Sequence, residues 1–155
     1  MKTRRDMLQH GAAVATLLMG AGLLPATARA QAGGYKAAAF ETKSMADLMK
    51  ALGAGAPTES KDVTITGPDI AENGAVVPLG AATTLAGAKS LLILVEKNPS
   101  IMTSMFELTD AVEASVNTRV KMGQSSNVYA VAMMNDGRVL YAQKEVKVTL
   151  GGCGG

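Results

Sequence analysis

The sequence has one cysteine, one histidine, no tryptophan and two phenylalanines in 155 residues. Each scarcity removes a class of chemistry. A single cysteine, Cys153, can form no internal disulfide, no Cys-x-x-Cys redox pair and no four-cysteine zinc site. The lone histidine, His10, lies in a segment that reads as a cleavable leader. Beyond that leader there is no Ser-His-Asp or Cys-His arrangement and no zinc site built on histidine, which excludes the commonest hydrolase and metalloenzyme constellations. With so few aromatic side chains, the core needs bulky flexible fillers, and the ten methionines supply them.

The leader is "MKTRRDMLQHGAAVATLLMGAGLLPATARA", residues 1–30. Lys2, Arg4 and Arg5 form a basic start, Gly11 to Leu24 a short apolar stretch, and Ala28-Arg29-Ala30 a small-x-small cleavage site. The apolar stretch is short of the roughly 20 residues of a membrane span and is diluted by three glycines, so a retained anchor is disfavoured. "TRRDML" is similar to the twin-arginine export motif, with Met7 in place of the usual phenylalanine; an ordinary secretion signal with two arginines fits the same residues. The expected organisation is therefore an export signal over 1–30, one domain over 31–150 and a short tail over 151–155. Removing the leader takes four of the 15 basic and one of the 13 acidic residues, turning a net charge of +2 into −1. The basicity belongs to the leader, and no nucleic-acid footprint remains.

Along the mature chain, "SMADLMKALG" predicts a helix with Ser44 as N-cap, Asp47 three residues on, Leu48 and Leu52 one turn apart, and Gly53 as terminator. Seven segments after this helix read as strands: "DVTIT", "GAVVPL", "KSLLILVE", "IMTSMFEL", "VEASVNTRVKM", "NVYAVAMM" and "RVLYAQKEVKVTL". The last two pair across Asn135-Asp136-Gly137. Seven turn-separated strands without intervening helices predict an all-β, immunoglobulin-like antiparallel β-sandwich with a short N-terminal helix. Pro78 marks an edge or a bulge, and "GAGAP" from Gly53 to Pro57, lacking the lysine of a phosphate loop, reads as a linker. In the last strand Val146, Val148 and Leu150 alternate with Glu145, Lys147 and Thr149, giving one buried and one wet face.

Methionines in an exported protein raise copper binding, since thioethers are soft ligands. Met45 and Met49 share a helix face, but core-facing residues have that spacing too. Met133 and Met134 are adjacent on a strand, point to opposite faces and cannot jointly hold an ion. Glu107, Asp110 and Glu113 suit a solvated rim better than acid-base catalysis.

The tail is "GGCGG". Fully extended, Gly151 to Gly155 spans on the order of 16–18 Å at ~3.3–3.6 Å per residue. Gly151, Gly152, Gly154 and Gly155 contribute no side chains, so the thiol of Cys153 can enter a narrow cleft, the geometry of a swinging arm. No lysine, arginine or helix start adjoins Cys153, so activation must come from whatever cleft receives it. Cys153 therefore reads as a covalent substrate anchor and not as a self-sufficient catalytic nucleophile.

"KEVKVTLGGCGG", "AENGAVVPL", "LVEKNP" and "TRVKMGQSSNVYAV" together resemble the SoxY family, carrier subunits of the bacterial thiosulfate-oxidising (Sox) system. The likeness runs from about Phe40 to Gly155, and the terminal pentapeptide is its most specific part. The resemblance implies a periplasmic, immunoglobulin-like carrier, no enzyme itself, with no cofactor beyond sulfur intermediates held on Cys153. It implies a heterodimer with SoxZ and transient visits from SoxXA, SoxB and, where present, SoxCD, with no nucleic-acid partner and no membrane contact after cleavage. Two other readings remain open at this point: a ubiquitin-like sulfur carrier activated at its terminal carboxyl, and an exported copper-binding β-sandwich using Cys153 and methionines.

Overall fold

The computed structural model describes residues 37–149, which belong to one compact unit, Lys36–Gly155. Two short helices precede the strands: α1 (Ala37–Phe40) and α2 (Met45–Leu52). The start and stop of α2 follow its sequence signals. Ser44 is extended, and its hydroxyl oxygen accepts from the Asp47 N–H at 3.1 Å, a cap typically worth about 1 kcal/mol. Gly53 ends the helix in the left-handed conformation at φ 66°, where its N–H meets the Lys50 carbonyl.

Nine strands follow among the described residues: β1 (Pro57–Glu59), β2 (Val63–Thr66), β3 (Ile70–Ala71), β4 (Val77–Thr83), β5 (Ala88–Val95), β6 (Met102–Glu107), β7 (Ser115–Val120), β8 (Ser126–Met134) and β9 (Val139–Val148). The larger sheet runs β1-β9-β8-β5-β6, with β3 also beside β9; the smaller runs β2-β4-β7. The seven expected strands are present, and the matching fold class is the expected immunoglobulin-like sandwich. Two departures are informative. Strands β1 and β3 are additions of three and two residues, and both lie parallel to β9, so the pairing is not wholly antiparallel. The "GAGAP" linker shrinks to Ala54–Ala56, since Gly53 caps α2 and Pro57 opens β1.

Pro78 sits in β4, the central strand of the smaller sheet, yet at a point where only β7 pairs with it. Strand β2 reaches no further along β4 than Gly80, so the missing proline N–H falls on a local edge. The β8–β9 hairpin turns through Asn135, Asp136 and Gly137, the last at φ 89°. The Gly137 N–H donates to the Met134 carbonyl at 3.1 Å, and the Met134 N–H to the Arg138 carbonyl at 2.9 Å.

The core has two compartments because the larger sheet is covered on both faces. Between the sheets lie Leu91, Ile93 and Val95 of β5, with Val128, Ala130, Ala132 and Met134 of β8, Leu79 and Met122. On the other face, Leu92, Leu94, Val131 and Met102 meet Ala39, Leu48, Met49 and Leu52 of the helices. This is why "LLILV" runs apolar without alternation: the strand is buried on both sides. Met133 and Met134 point to opposite compartments, as expected of adjacent strand residues, and Met45, Met49, Met102, Met105 and Met122 all pack in one core or the other.

Candidate functional site at the end of the last strand

Cys153 with Gly151, Gly152, Gly154 and Gly155, and the export arginines Arg4 and Arg5, lie outside the described residues, as does Leu150. The structure does describe the ground from which the tail departs. Strands β5 and β9 run one way and β8 the other, so the ends of β5 and β9 and the start of β8 lie at the same end of the sandwich. There β9 outruns its β8 partner, whose last pairing is Ser126 with Val146.

The overhang is held from two sides. On one, β3 adds a parallel pairing: the Lys147 N–H donates to the Asp69 carbonyl at 2.9 Å and the Thr149 N–H to the Ala71 carbonyl at 3.1 Å. On the other, the Val148 N–H donates to the Ser125 Oγ at 2.9 Å. Lys144 fastens the incoming loop, donating to the Gly67 carbonyl at 2.6 Å and pairing with Asp69 at 2.8 Å. Lys144's hydrogen bond, and then its charge, hold the Asp69 carboxyl below its ordinary 3.8. The chain is thus paired up to Thr149, two residues before Gly151.

The loops beneath are tied to one another as well. The Met122 N–H donates to the Gly74 carbonyl at 2.7 Å, and the Gly74 backbone packs so close to Met122 and Val148 that a Cβ would come within 2.8 Å of Val148 Cγ1. Asn98 Nδ2 donates to the Lys121 carbonyl at 2.7 Å, and the Lys97 N–H to Ser126 Oγ at 3.1 Å. The four segments that carried the sequence resemblance are distant along the chain. Here they converge, as the loops at the start of β4, the end of β5 and the β7–β8 junction, around the last residues of β9.

Sequence reading did not identify Asp69, Ala71 and Ser125 as the residues that fix this root. The signal available for Ser125 was its place within "GQSSN" in one of those segments; a two-residue parallel strand such as β3 leaves no periodic signal at all.

The electrostatics around the root are mixed. Lys97, Lys121 and Lys147 are exposed there, with Glu72 and Asp69 among them. On the helix-facing side of the larger sheet, Glu96 accepts from Asn127 Nδ2 at 2.9 Å and from the Tyr129 hydroxyl at 3.3 Å. Burial, and then the Glu96 charge, push the Tyr129 phenol above its ordinary 10.0. Tyr129 meets Tyr141 edge-on, ring centres 6.0 Å apart. Glu107, Asp110 and Glu113 lie exposed, far along the chain from this group, and among the described residues no cluster of three or more His, Cys, Asp or Glu side chains could hold a metal. Nor, among those residues, is any helix long and apolar enough to cross a membrane.

Comparison with known proteins agrees with this geometry. A family model described as "Sulfur oxidation protein SoxY" matches residues 48–153. The solved structure of the sulfur carrier protein SoxY from Chlorobium limicola f thiosulfatophilum is 33% identical, covering 66% of this chain and 93% of its own, with a TM-score of 0.60. A superoxide reductase (neelaredoxin) variant from Ignicoccus hospitalis is 16% identical, covering 70% of this chain and 100% of its own at a TM-score of 0.54, a likeness of fold alone. Among curated proteins none matches the sequence. A matched region that takes in α2 from Leu48, every strand, the clamped root and Cys153 places the chain in the SoxY family of sulfur oxidation proteins.

Proposed function

We propose that the protein is a periplasmic sulfur carrier, exported by the leader containing Arg4 and Arg5, on which intermediates of thiosulfate oxidation are covalently held at Cys153. It performs no catalysis itself. The observation that carries this reading is the clamp on β9: the strand is hydrogen-bonded on two sides up to Thr149, and the four glycines that surround the thiol begin two residues later. A fixed root followed by side-chain-free backbone suits a thiol that several enzymes must reach in turn.

In the cycle proposed, the Cys153 thiol and thiosulfate join through a new sulfur–sulfur bond. The thiol proton is released and two electrons pass to the haem of SoxXA. The product is a cysteine S-thiosulfonate. SoxB then directs water at the terminal sulfur; the bond between the two outer sulfurs breaks, sulfate leaves, and a persulfide remains on Cys153. SoxCD, where present, carries that outer sulfur to the sulfonate level, with three oxygens from water and six electrons passed to an external electron acceptor; a second hydrolysis breaks the remaining sulfur–sulfur bond, releasing sulfate and restoring the thiol. SoxZ is the stable partner in this scheme. The role of this chain's residues is to hold and present: the glycines give access, Cys153 carries the cargo, and Asp69, Ala71 and Ser125 keep the base of the tether in place.

Intact-mass spectrometry of protein purified from cells supplied with thiosulfate tests this. The expected result is a set of adducts with the mass of one sulfur atom or of a thiosulfate group, absent in Cys153→Ser. An unmodified thiol, together with thiosulfate turnover unaffected by Cys153→Ser, would overturn the proposal.

A further inference from the structure

The turn leading into β4 contains Asn73-Gly74, next to the last residues of β9. Of the chain's five asparagines, Asn73 alone precedes a glycine; Asn98 precedes Pro99, Asn117 Thr118, Asn127 Val128 and Asn135 Asp136. The following residue matters because its amide nitrogen is the group placed to attack an asparagine side chain. Glycine has no Cβ to obstruct that approach. Proline has no N–H to lose, and the branched side chains of threonine and valine crowd the same space.

The local structure favours the attack at Asn73. Its side chain is exposed and folds back along its own chain, where the Ala75 N–H donates to Asn73 Oδ1 at 2.9 Å. Such a turn holds Cγ beside the intervening Gly74 amide, the group it must meet. It also puts a donor on the oxygen that becomes negative when a nucleophile adds to Cγ. The Gly74 N–H has no hydrogen-bond partner among the described residues, and neither has Asn73 Nδ2, so attacking and leaving nitrogens are both free. By contrast, Asn98 and Asn127 donate Nδ2 to the Lys121 carbonyl and to Glu96, and Asn117 and Asn127 are fixed in β7 and β8.

We infer that Asn73 is a site of spontaneous deamidation whose product unfastens the root of the tail. The Gly74 nitrogen gives its proton to solvent base and bonds to Asn73 Cγ. The Cγ–Nδ2 bond breaks, Nδ2 takes up a proton and leaves as ammonia, and a cyclic succinimide remains. Water then opens the ring at either carbonyl. Attack at Cγ leaves aspartate; attack at the main-chain carbonyl leaves isoaspartate, whose backbone runs through Cβ and Cγ. Water is consumed and ammonia released, with no change of oxidation state. Isoaspartate lengthens the main chain by a carbon immediately before Gly74, which has no slack to absorb it. The Gly74 carbonyl accepts from the Met122 N–H at 2.7 Å, and a Cβ there would already stand 2.8 Å from Val148 Cγ1. The added atom therefore strains the contact with β9, whatever Cys153 carries.

The full chain is held at mildly alkaline pH, and samples taken over time are digested with trypsin and weighed. Asn73 is the only asparagine of peptide 62–89; Asn98 and Asn117 fall in 98–119, and Asn127 and Asn135 in 122–138. The expected result is a gain of about one dalton in 62–89, split between two products of equal mass. It should proceed about tenfold faster than in either other peptide. In the aged protein, amide exchange at Val148 should quicken about fivefold relative to Val131. Asn73→Ser keeps an oxygen for the Ala75 N–H but has no amide to lose, so it should show neither change; exchange at Val131 verifies its fold. Equal gains in all three peptides would overturn the preference for Asn73. A faster reaction in the urea-unfolded chain than in the folded one would overturn the role of the turn. Deamidation that leaves Val148 exchange unchanged, or equal loosening in aged Asn73→Ser, would overturn the unfastening.

Discussion

The two ends of this sandwich are built from similar loops and finished differently. Where β9 terminates, three loops are cross-tied through main-chain groups and short side chains: Gly74 to Met122, Asn98 to Lys121, Ser126 to Lys97 and Ser125 to Val148. At the opposite end, the loop between β4 and β5 and the loop between β6 and β7 border an open cavity of about 660 Å³, with Val112 left 56% exposed; there the Thr83 N–H donates to the Ala114 carbonyl and the Asn135 N–H to the Gly87 carbonyl, each at 2.9 Å. Both ends are tied through main-chain groups, and the ties at the first end gather around the overhang of β9. The first end holds β9 up to Thr149, and in the carrier role proposed above its order serves presentation of Cys153 as well as folding.

Substituting a glycine at each end should break the symmetry most visibly. Gly74→Ala forces a Cβ against the Met122 backbone and Val148, where a neighbouring main chain cannot swing aside as a flexible side-chain tip would. A loss of about 1–3 kcal/mol is expected from overpacking. Gly55→Ala, at the other end, meets only the Gly137 carbonyl at 3.8 Å, ordinary contact. There, the reduced freedom of the unfolded chain should leave stability unchanged or raise it by up to about 1 kcal/mol. Denaturant midpoints of the two variants measure the contrast. Equal losses would show that the arm end is no more tightly built than its counterpart.

A smaller effect isolates the clamp from general stability. Ser125→Ala removes the acceptor of the Val148 N–H, and about 1 kcal/mol is expected from one such hydrogen bond. Its signature is local: amide exchange at Val148 should quicken about fivefold relative to Val131 in the middle of β8, a factor equivalent to that energy. Uniform acceleration along both strands would mean that Ser125 supports the whole fold and not the root of the tail.

How much of this was legible in the sequence depended on whether the signal was local. Ser44, Gly53 and the Asn135-Asp136-Gly137 turn act through residues within a few positions, and helix and hairpin stand where their letters put them. The long strands were readable for the same reason, through alternation or an unbroken apolar run. Strands β1 and β3 were not, because three- and two-residue segments acquire strand geometry only from β9 beside them. The third layer, α2 over Leu92 and Leu94, was implied by the unbroken run in β5 but became explicit only once the sheet was assembled. At the candidate site, the identity and setting of Cys153 came from the last five letters. The residues that hold the base of its tether lie up to 78 positions from their partners and carry ordinary side chains, so no spacing announces them.

The least effect, and the one that sharpens the comparison furthest, concerns acid. Each end has an exposed carboxylate whose pKa is lowered from 3.8: Asp69, by the hydrogen bond and charge of Lys144, and Asp136, by the backbone and side chain of Arg138. A carboxyl that binds its proton less readily when folded adds stability that is present above its unfolded value. That contribution fades as pH falls below about 4 and is gone once pH has passed through the lower folded value. Both clasps therefore loosen in the same acidic window, and being fully solvated they add little to global stability. Their local consequences differ. Asp69 belongs to the loop whose carbonyl receives the Lys147 N–H, so acid should speed exchange of Lys147 and Thr149, beyond the intrinsic pH dependence, before the fold unravels. Lys144→Gln should abolish that acid-dependent step while raising exchange at neutral pH. Asp136→Asn should change exchange only at the hairpin, leaving the root of the tail untouched. An acid response at Lys147 that survives Lys144→Gln would place the control of the tether's base elsewhere than in this ion pair.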